Sequence, residues 1–418
     1  MKKQYRALAF FFCVLTGGRM LAAPAPDDWP QWRGPNRDGV SAEQGLLKEW
    51  PASGPPLVWT ATGLGKSYSG IAIAGDTIFT QGDKGGKNYV IALHRQTGKP
   101  LWEAELGKAG APGWGNFEGS RCVPSVDANL VIAVAQYGEV ACLDAGTGQV
   151  KWLKDYKDFG GQLPEWGFSG MPLIDGENVI LAPGGSRGDL IALKKATGET
   201  VWQSKELTDS IHYSSPIVAV IGGVRQYIQL TETSVAGVAA NDGRVLWRAR
   251  RKGQTAVIPT PIFYDGYVYV TSGYGVGCSA FRITAADGKF SAAEVYSNKV
   301  MANHHGGVIR QGEYVYGYSD AKGWTCQELK SGKAVWQEKT KLGKGAIAYA
   351  DGRFYLRAED GKGTVALVDA TPEGYRERGR FNPPHRSDKN AWVHPVIAGG
   401  KLYLRDQDVL LCYDVKAK

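Results

Sequence analysis

From Ser69 onward, short apolar runs alternate with turns centred on Gly and Asp, and the same unit keeps returning. "SGIAIAGDTIFTQGD", "GMPLIDGENVILAPG", "TPIFYDGYVYVTSG", "GGVIRQGEYVYGYS" and "HPVIAGGKLYLRDQ" each read as an apolar strand, a tight turn and an alternating strand. A second kind of hairpin follows: "IALHRQTGKPLW" (Ile91–Trp102), "ACLDAGTGQVKW" (Ala141–Trp152), "IALKKATGETVW" (Ile191–Trp202), "VAANDGRVLW" (Val238–Trp247) and "TCQELKSGKAVW" (Thr325–Trp336). Each runs through a Thr-, Ser- or Asp-Gly corner and ends in tryptophan four residues beyond the glycine. Glycine supplies the positive φ of the corner, and the return strand ends in a large aromatic anchor.

Two hairpins make four strands in about 40–50 residues, a unit that cannot bury both faces of its sheet alone. Radial stacking of such units does, which predicts an all-β, eight-bladed β-propeller of four-stranded blades. First hairpins begin near Ser69, Cys122, Gly170, Ser215, Thr260, Gly306, Ala346 and Pro395. Two units lack the final tryptophan: "AADGKFSAAEVY" ends in Tyr296, and "TPEGYRERGRF" has none. The eighth unit stops at "LLCYDVKAK" without a fourth strand, while "PPLVWTATG", with Trp59, precedes the first unit and has no partner there. This N-terminal strand is expected to complete the last blade and close the ring, removing open sheet edges.

Composition narrows the class. The 418 residues are 43% apolar and 22% charged, with 56 glycines and 13 tryptophans, as expected for many turns and many aromatic anchors. Residues 1–23 read as a secretory signal: Lys2, Lys3 and Arg6, then the apolar "ALAFFFCVLTGG", then small residues near Ala22 and Ala23. Residues 24–56 form a lead-in and 57–418 a single propeller. The expected location is extracytoplasmic, secreted or periplasmic, with no membrane span after cleavage. Removing the leader takes away four basic residues and leaves about +4 of the formal +8, too little and too scattered to argue for nucleic acid. Five cysteines remain, an odd number with no C-x-x-C, so a structural zinc site has no support. Cys142, Cys326 and Cys412 fall at equivalent strand positions and are expected to be buried as small hydrophobes.

The pattern A-x-D-x-x-T-G-x-x-x-W resembles the tryptophan-docking repeat of pyrroloquinoline-quinone (PQQ) propellers. "ALHRQTGKPLW", "CLDAGTGQVKW" and "ALKKATGETVW" match it well, and Gly237–Trp247 and Cys326–Trp336 in part. The resemblance covers nearly all of the chain beyond the leader. It implies that Trp59, Trp102, Trp152, Trp202, Trp247 and Trp336 lock blade to blade. Two branches share the fold: quinoprotein dehydrogenases and the non-enzymatic BamB-like proteins of outer-membrane assembly. The dehydrogenases carry adjacent cysteines over the cofactor, a Glu/Asn set on calcium and an Asp base. No Cys-Cys pair exists here, and Glu118, Glu165 and Asn303 near blade entrances form no matching set. The reading therefore leans to the BamB-like branch: a monomeric binding or scaffolding module, no cofactor required, with an envelope protein or a small polar or anionic ligand as partner. A PQQ-dependent oxidoreductase using calcium is the alternative, and a carbohydrate-active propeller a third.

Propeller ligands meet the chain where it enters the innermost strands. Ser67, Arg121, Ser169, Tyr213, Ile258, His304, Lys344 and Trp392 lie at that level, with His212, His305 and His394 within two positions. Four of the six histidines thus sit at blade entrances. Three readings stay open. One is a hydrated axial channel. The second is a pocket for an anionic or planar ligand, with Arg121 and Lys344 as charges and Trp392, Tyr213 or Trp166 as stacking faces. The third is a metal site on His304 or His305 with His212 or His394. In an extended segment His304 and His305 would point to opposite sides, which weighs against their sharing an ion. No G-x-S-x-G elbow occurs, so esterase chemistry has no motif.

The stretch "DDWPQWRGPNRDG" (Asp27–Gly39) resembles the lead-in of PQQ-type propellers. Asn36 and Asp38 alternate but lack the remaining ligands of a calcium loop, and Pro30 and Pro35 exclude a regular helix. Trp29 and Trp32 are expected to pack on the propeller surface and latch the chain's entry.

Overall fold

The computed structural model describes residues 27–417, so the predicted signal peptide lies outside the described residues. Within them there are eight antiparallel sheets of four blade strands and one short 3-10 helix, Tyr156–Phe159. No helix among the described residues is long and apolar enough to cross a membrane.

The innermost strands of blades 1 to 8 are Ala72–Ala74, Ser125–Asp127, Leu173–Asp175, Ile217–Ile221, Ile262–Tyr264, Val308–Gln311, Gly345–Ala350 and Val396–Ala398. The outermost strand of blade 8 is Leu57–Ala61, paired antiparallel with Val409–Asp414 so that Trp59 stands opposite Cys412. The ring closes as the unpaired N-terminal strand predicted.

The tryptophan repeat works through register. Each docking tryptophan faces a small residue on the neighbouring strand: Trp102 faces Ala92, Trp152 faces Cys142, Trp202 faces Ala192 and Trp336 faces Cys326. The register shifts beside each of these pairs, a bulge that re-aims the indole towards the next blade. There its Nε1 donates to a carbonyl at the next hairpin corner: Trp102 to Ala145 (3.0 Å), Trp152 to Lys195 (2.9 Å), Trp202 to Ala240 (3.0 Å) and Trp336 to Thr371 (3.2 Å). The corner glycine is required twice over. Gly148 has φ +73°, and a Cβ there would stand 2.6 Å from the Trp102 ring. All five cysteines of the described residues are free and buried. Burial pushes the Cys122 and Cys412 thiols up to about 12, and those of Cys142 and Cys326 to about 11.

Where the repeat degenerates, the interfaces are rebuilt. Tyr296 takes the tryptophan position of blade 5, donating its hydroxyl to Leu329 O (2.6 Å) across the boundary to blade 6. Blade 7 ends in Phe381, and Trp50 of the lead-in supplies the missing indole, edge-on to Phe381 (5.4 Å) and Tyr355 (5.7 Å). Trp247 departs from expectation. Its Nε1 donates to Gln226 Oε1 (2.7 Å) inside its own blade. Blade 5 replaces the Thr-Gly corner with a long hairpin, Gly277–Ala286 and Lys289–Asn298, so no corner carbonyl is offered.

The lead-in is not on the outer surface. It crosses the propeller axis. Trp29 N and O bond Ile73 of blade 1 (2.9 and 2.8 Å), and Pro30 O accepts from Val126 N of blade 2 (2.8 Å). Arg37 donates to Pro172 O and Met171 O of blade 3 (2.8 and 3.1 Å). Trp32 Nε1 donates to Thr260 Oγ1 of blade 5 (3.2 Å), and Arg33 to Val308 O of blade 6 (2.5 Å). Val40–Ser41 then adds a parallel strand to the inner edge of blade 7. The expected latch is an axial plug: inner-strand edges leave backbone groups that need partners, and this segment provides them.

Replacing Trp152 by Ala is expected to cost about 3–5 kcal/mol, the range for truncating a buried large aromatic. Trp114→Ala, at a side chain 66% exposed, should stay within about 0.5 kcal/mol. Denaturant midpoints of the two variants check this.

Candidate functional site

On the side of the plug that carries Trp32, the blade entrances surround one cavity of about 270 Å³. The loop between blades 1 and 2 contributes Trp114, Phe117 and Arg121, and the next loop Trp166, Ser169 and Met171. Tyr213 and Ser215 come from the entrance of blade 4, Ala256 and Ile258 from that of blade 5, and His304 and His305 from that of blade 6. Tyr68 enters from blade 1, Trp392 and His394 from blade 8, and Tyr274 from a turn within blade 5. Trp32 of the plug lies against His394, with ring centroids 4.7 Å apart, and forms the floor.

The rings form a connected lining. Trp392 stacks on His305 (4.1 Å, 16°) and touches Tyr68 (4.8 Å) and Phe117 (5.2 Å). Opposite, Trp166 lies between Trp114 (5.5 Å, edge-on) and Tyr213 (5.9 Å). Such contacts fix ring orientation as well as burying area.

Seven of the sequence-predicted site residues line this cavity: Arg121, Trp166, Tyr213, His304, His305, Trp392 and His394. Two do not. His212 turns into a neighbouring polar cleft, 3.7 Å from Glu232. Lys344 lies behind the wall, its Nζ 2.6 Å from His304 Nδ1, with Asp320 and Glu359 at 3.4 and 3.7 Å. His304 and His305 do not diverge as an extended segment would make them. Residues 301–307 form no strand, and the two rings pack 3.7 Å apart on the same wall.

Electrostatics keep these histidines neutral. Burial lowers His304 to about 3, with Lys344 adding to the effect, and lowers His394 to about 3, with Arg33 adding to it. His305 is also held well below its ordinary value, first by burial and then by its charged neighbours. His304 Nδ1 faces an ammonium, so its proton belongs on Nε2, a buried atom with no hydrogen-bond partner. His394 Nε2 lies 3.0 Å from His305 O and donates to it. Among the described residues no group of three or more His, Cys, Asp or Glu could hold a metal ion.

Arg121 is the half-buried charge of the cavity. Its guanidinium donates to Gly119 O (2.6 Å) and Phe117 O (2.7 Å) and lies 5.7 Å over the Tyr68 ring. Burial lowers its pKa, yet a guanidinium remains charged at neutral pH. Sequence reasoning missed Trp32 and Tyr274. Trp32 was placed outside, and Tyr274 belongs to a turn rather than a blade entrance. Trp114 and Phe117 lie in the long loop between blades 1 and 2, before the level of the blade entrances.

A family model described as Outer membrane protein assembly factor BamB matches residues 86–338. The chain belongs to this family. Curated relatives include BamB of Burkholderia pseudomallei, 22% identical over 51% of each chain, and BamB of Yersinia pestis, 23% identical over 84% of this chain and 86% of the relative. The match spans about half the length of the Burkholderia relative and less of the Xanthomonas campestris one, 43%. Among solved structures, BamB from Moraxella catarrhalis covers 83% of this chain and 94% of its own, at 16% identity and TM-score 0.59. A quinohemoprotein alcohol dehydrogenase from Comamonas testosteroni covers 94% and 81%, at 12% identity and TM-score 0.61. At these identities the two structures share the fold alone, and the BamB family contains the repeat without fixing what the axial cavity does.

The neutral histidines make stability depend on pH. An unfolded histidine takes its proton near pH 6.5, and His394 in the fold only near 3. Between these values the unfolded chain binds more protons, so the contribution is whole above about pH 6.5 and shrinks as pH falls, by about 1.4 kcal/mol per pH unit. Denaturant midpoints from pH 7 to about pH 4.5 should fall. His394→Gln should be less stable at pH 7 but show a shallower slope, and an unchanged slope would contradict the assignment.

Proposed function

We propose that this chain is an extracytoplasmic binding and scaffolding propeller that presents its axial mouth and the neighbouring rim loops to a partner in the cell envelope. The observation that carries this reading is the asymmetry of the axis. One side is sealed by the plug, and the other opens between long loops that expose Trp114 (66%) and Leu163 (49%) around an aromatic cavity. Exposed tryptophan on a scaffolded loop is a strong interface anchor. Membership of the BamB family and the apolar leader in the sequence support the location. The relatives' name, outer membrane protein assembly factor, supports an envelope protein as partner.

A PQQ-dependent oxidoreductase is the second reading, favoured by the structural likeness to the alcohol dehydrogenase and by the aromatic walls. The residues fit it poorly. A planar quinone could lie between Trp392 and Trp166, but calcium needs converging oxygens. Glu118 is paired with Lys66, Glu165 lines the polar cleft beside His212, and Asn303 Nδ2 donates to Tyr318 O (2.9 Å).

Two measurements separate the readings. A photo-crosslinking residue at position 114 should trap a discrete envelope protein in cells. The same residue at position 220, exposed at the far end of the blade 4 inner strand, should not. Equal or absent labelling at both positions contradicts the scaffold. Adding PQQ and calcium to the purified protein should give neither a bound-quinone absorbance nor dye-linked alcohol oxidation, and both together would establish the oxidoreductase instead.

A further inference from the structure

Beside the axial mouth lies a second recess of different chemistry. The cleft into which His212 turns holds about 450 Å³, within the range of small-ligand sites, about 300–1,000 Å³. Three loops build it: Gln162–Glu165 between blades 2 and 3, Gly185–Ser186 within blade 3, and Thr208–Tyr213 between blades 3 and 4. Thr255, on the way to blade 5, closes the remaining side. Among the described residues no Lys or Arg lines this cleft, and its large aromatic face is the ring of Tyr213. Burial lowers the pKa of His212, so its imidazole is neutral at pH 7 and adds no positive charge.

The walls are tied down from behind. Buried Asp189 accepts from Asp209 N at Oδ2 (2.9 Å), and its own N donates to Leu207 O (2.6 Å). The Asp209 carboxylate is fixed in turn by Thr231 Oγ1 (2.8 Å), Ser234 and Arg248. Gly185, at φ +94°, lets the blade 3 loop press on the loop before it, where a Cβ would stand 2.1 Å from Gly160 O. Thr255 holds φ +56°, a left-handed conformation that a β-branched residue keeps only when its surroundings over-determine it. The groups facing the cleft are, by contrast, unspent. The hydroxyls of Ser186, Thr208, Ser210 and Thr255, the Gln162 amide and the Glu165 carboxylate bond to no other side chain or backbone group among the described residues.

A ligand for this cleft must bring many donors and acceptors and no negative charge. An anion would meet Glu165 and Asp209 with no lining cation to hold it. A flat hydrophobe would strand the hydroxyls, each polar group left unpaired costing free energy. A sugar fits both demands. Each of its hydroxyls donates and accepts, and the C–H face of a pyranose ring packs against the negative face of an aromatic ring, here Tyr213. We propose that this cleft binds a neutral oligosaccharide, its hydroxyls on the Glu165 and Asp209 carboxylates and on the surrounding Ser and Thr side chains. The site goes beyond the scaffold reading and is independent of what meets the axial cavity.

The test is calorimetry on residues 24–418 with two neutral trisaccharides, maltotriose and cellotriose, and with the acidic trigalacturonate. Saturable binding of at least one neutral trimer is expected, tighter than trigalacturonate by roughly tenfold or more. Ser210→Trp fills the cleft from an exposed position and should abolish that binding. Val220→Trp adds the same ring at the far end of blade 4 and should leave it unchanged. Glu165→Gln should weaken the neutral trimer by roughly tenfold, the loss of a charged acceptor, and narrow the gap to trigalacturonate. If Ser210→Trp lowers the denaturant midpoint, the unaltered protein and Glu165→Gln still decide. No saturable binding of either neutral trimer, equal affinity for trigalacturonate, or undiminished binding by a folded Ser210→Trp overturns the proposal.

Discussion

A ring of eight blades must do something with its axis. Inner strands turn backbone groups and short side chains towards a hole that no blade can fill, and unpaired polar groups there are costly. In this chain the segment Asp27–Ser41 fills it, bonding to blades 1, 2, 3, 5, 6 and 7 and placing Trp32 on His394 of blade 8. The cost is visible in the backbone, where Arg33 and Arg37 adopt left-handed φ values of 61° and 58°. Residues other than glycine hold such values only when their surroundings over-determine them. Here both side chains are buried and spend their N–H groups on main-chain carbonyls across the axis. Because one end is sealed, the other becomes a blind cavity rather than a channel.

The same segment links the axis to the rim. Beyond the plug, Leu46 N donates to Asp351 Oδ2 (2.9 Å) and Trp50 N to Arg378 O (2.9 Å), carrying the chain outward over blade 7. Trp50 then fills the interface where blade 7 has lost its own tryptophan, and Leu57–Ala61 completes blade 8. Plug, substitute anchor and closing strand are consecutive parts of one stretch, so the ring and its cavity are built together.

Much of this was legible in the sequence, for a physical reason. Blade count, hairpin corners and ring closure depend on local patterns, and those repeat. The small residue opposite each tryptophan was visible as an alanine-or-cysteine position, and its purpose, making room for the indole, follows from the register. The failures share a cause. Trp32 was placed outside because nothing in "DWPQWRGP" tells an inner surface from an outer one. Trp247 shares a buried cluster with Val268 and Phe281 of blade 5 but bonds within its own blade, because the corner about 40 residues on is replaced by a long hairpin. His304 and His305 were treated as an extended pair, whereas their backbone is irregular and both rings face one wall. Blade entrances did identify most of the cavity, since every innermost strand begins at the same level. Lys344 reached that level but was drawn away by two carboxylates.

The plug is part of the folded propeller and makes the mouth a blind cavity. Hydrogen exchange of residues 24–418 tests this arrangement. The amides of Trp29 and Gly39, bonded to Ile73 O and Arg33 O (both 2.9 Å), should be protected to the same degree as those of the inner strands they cross. Exchange of these amides at the rate of an unstructured peptide, with the inner strands still protected, would show an open axis and contradict the account.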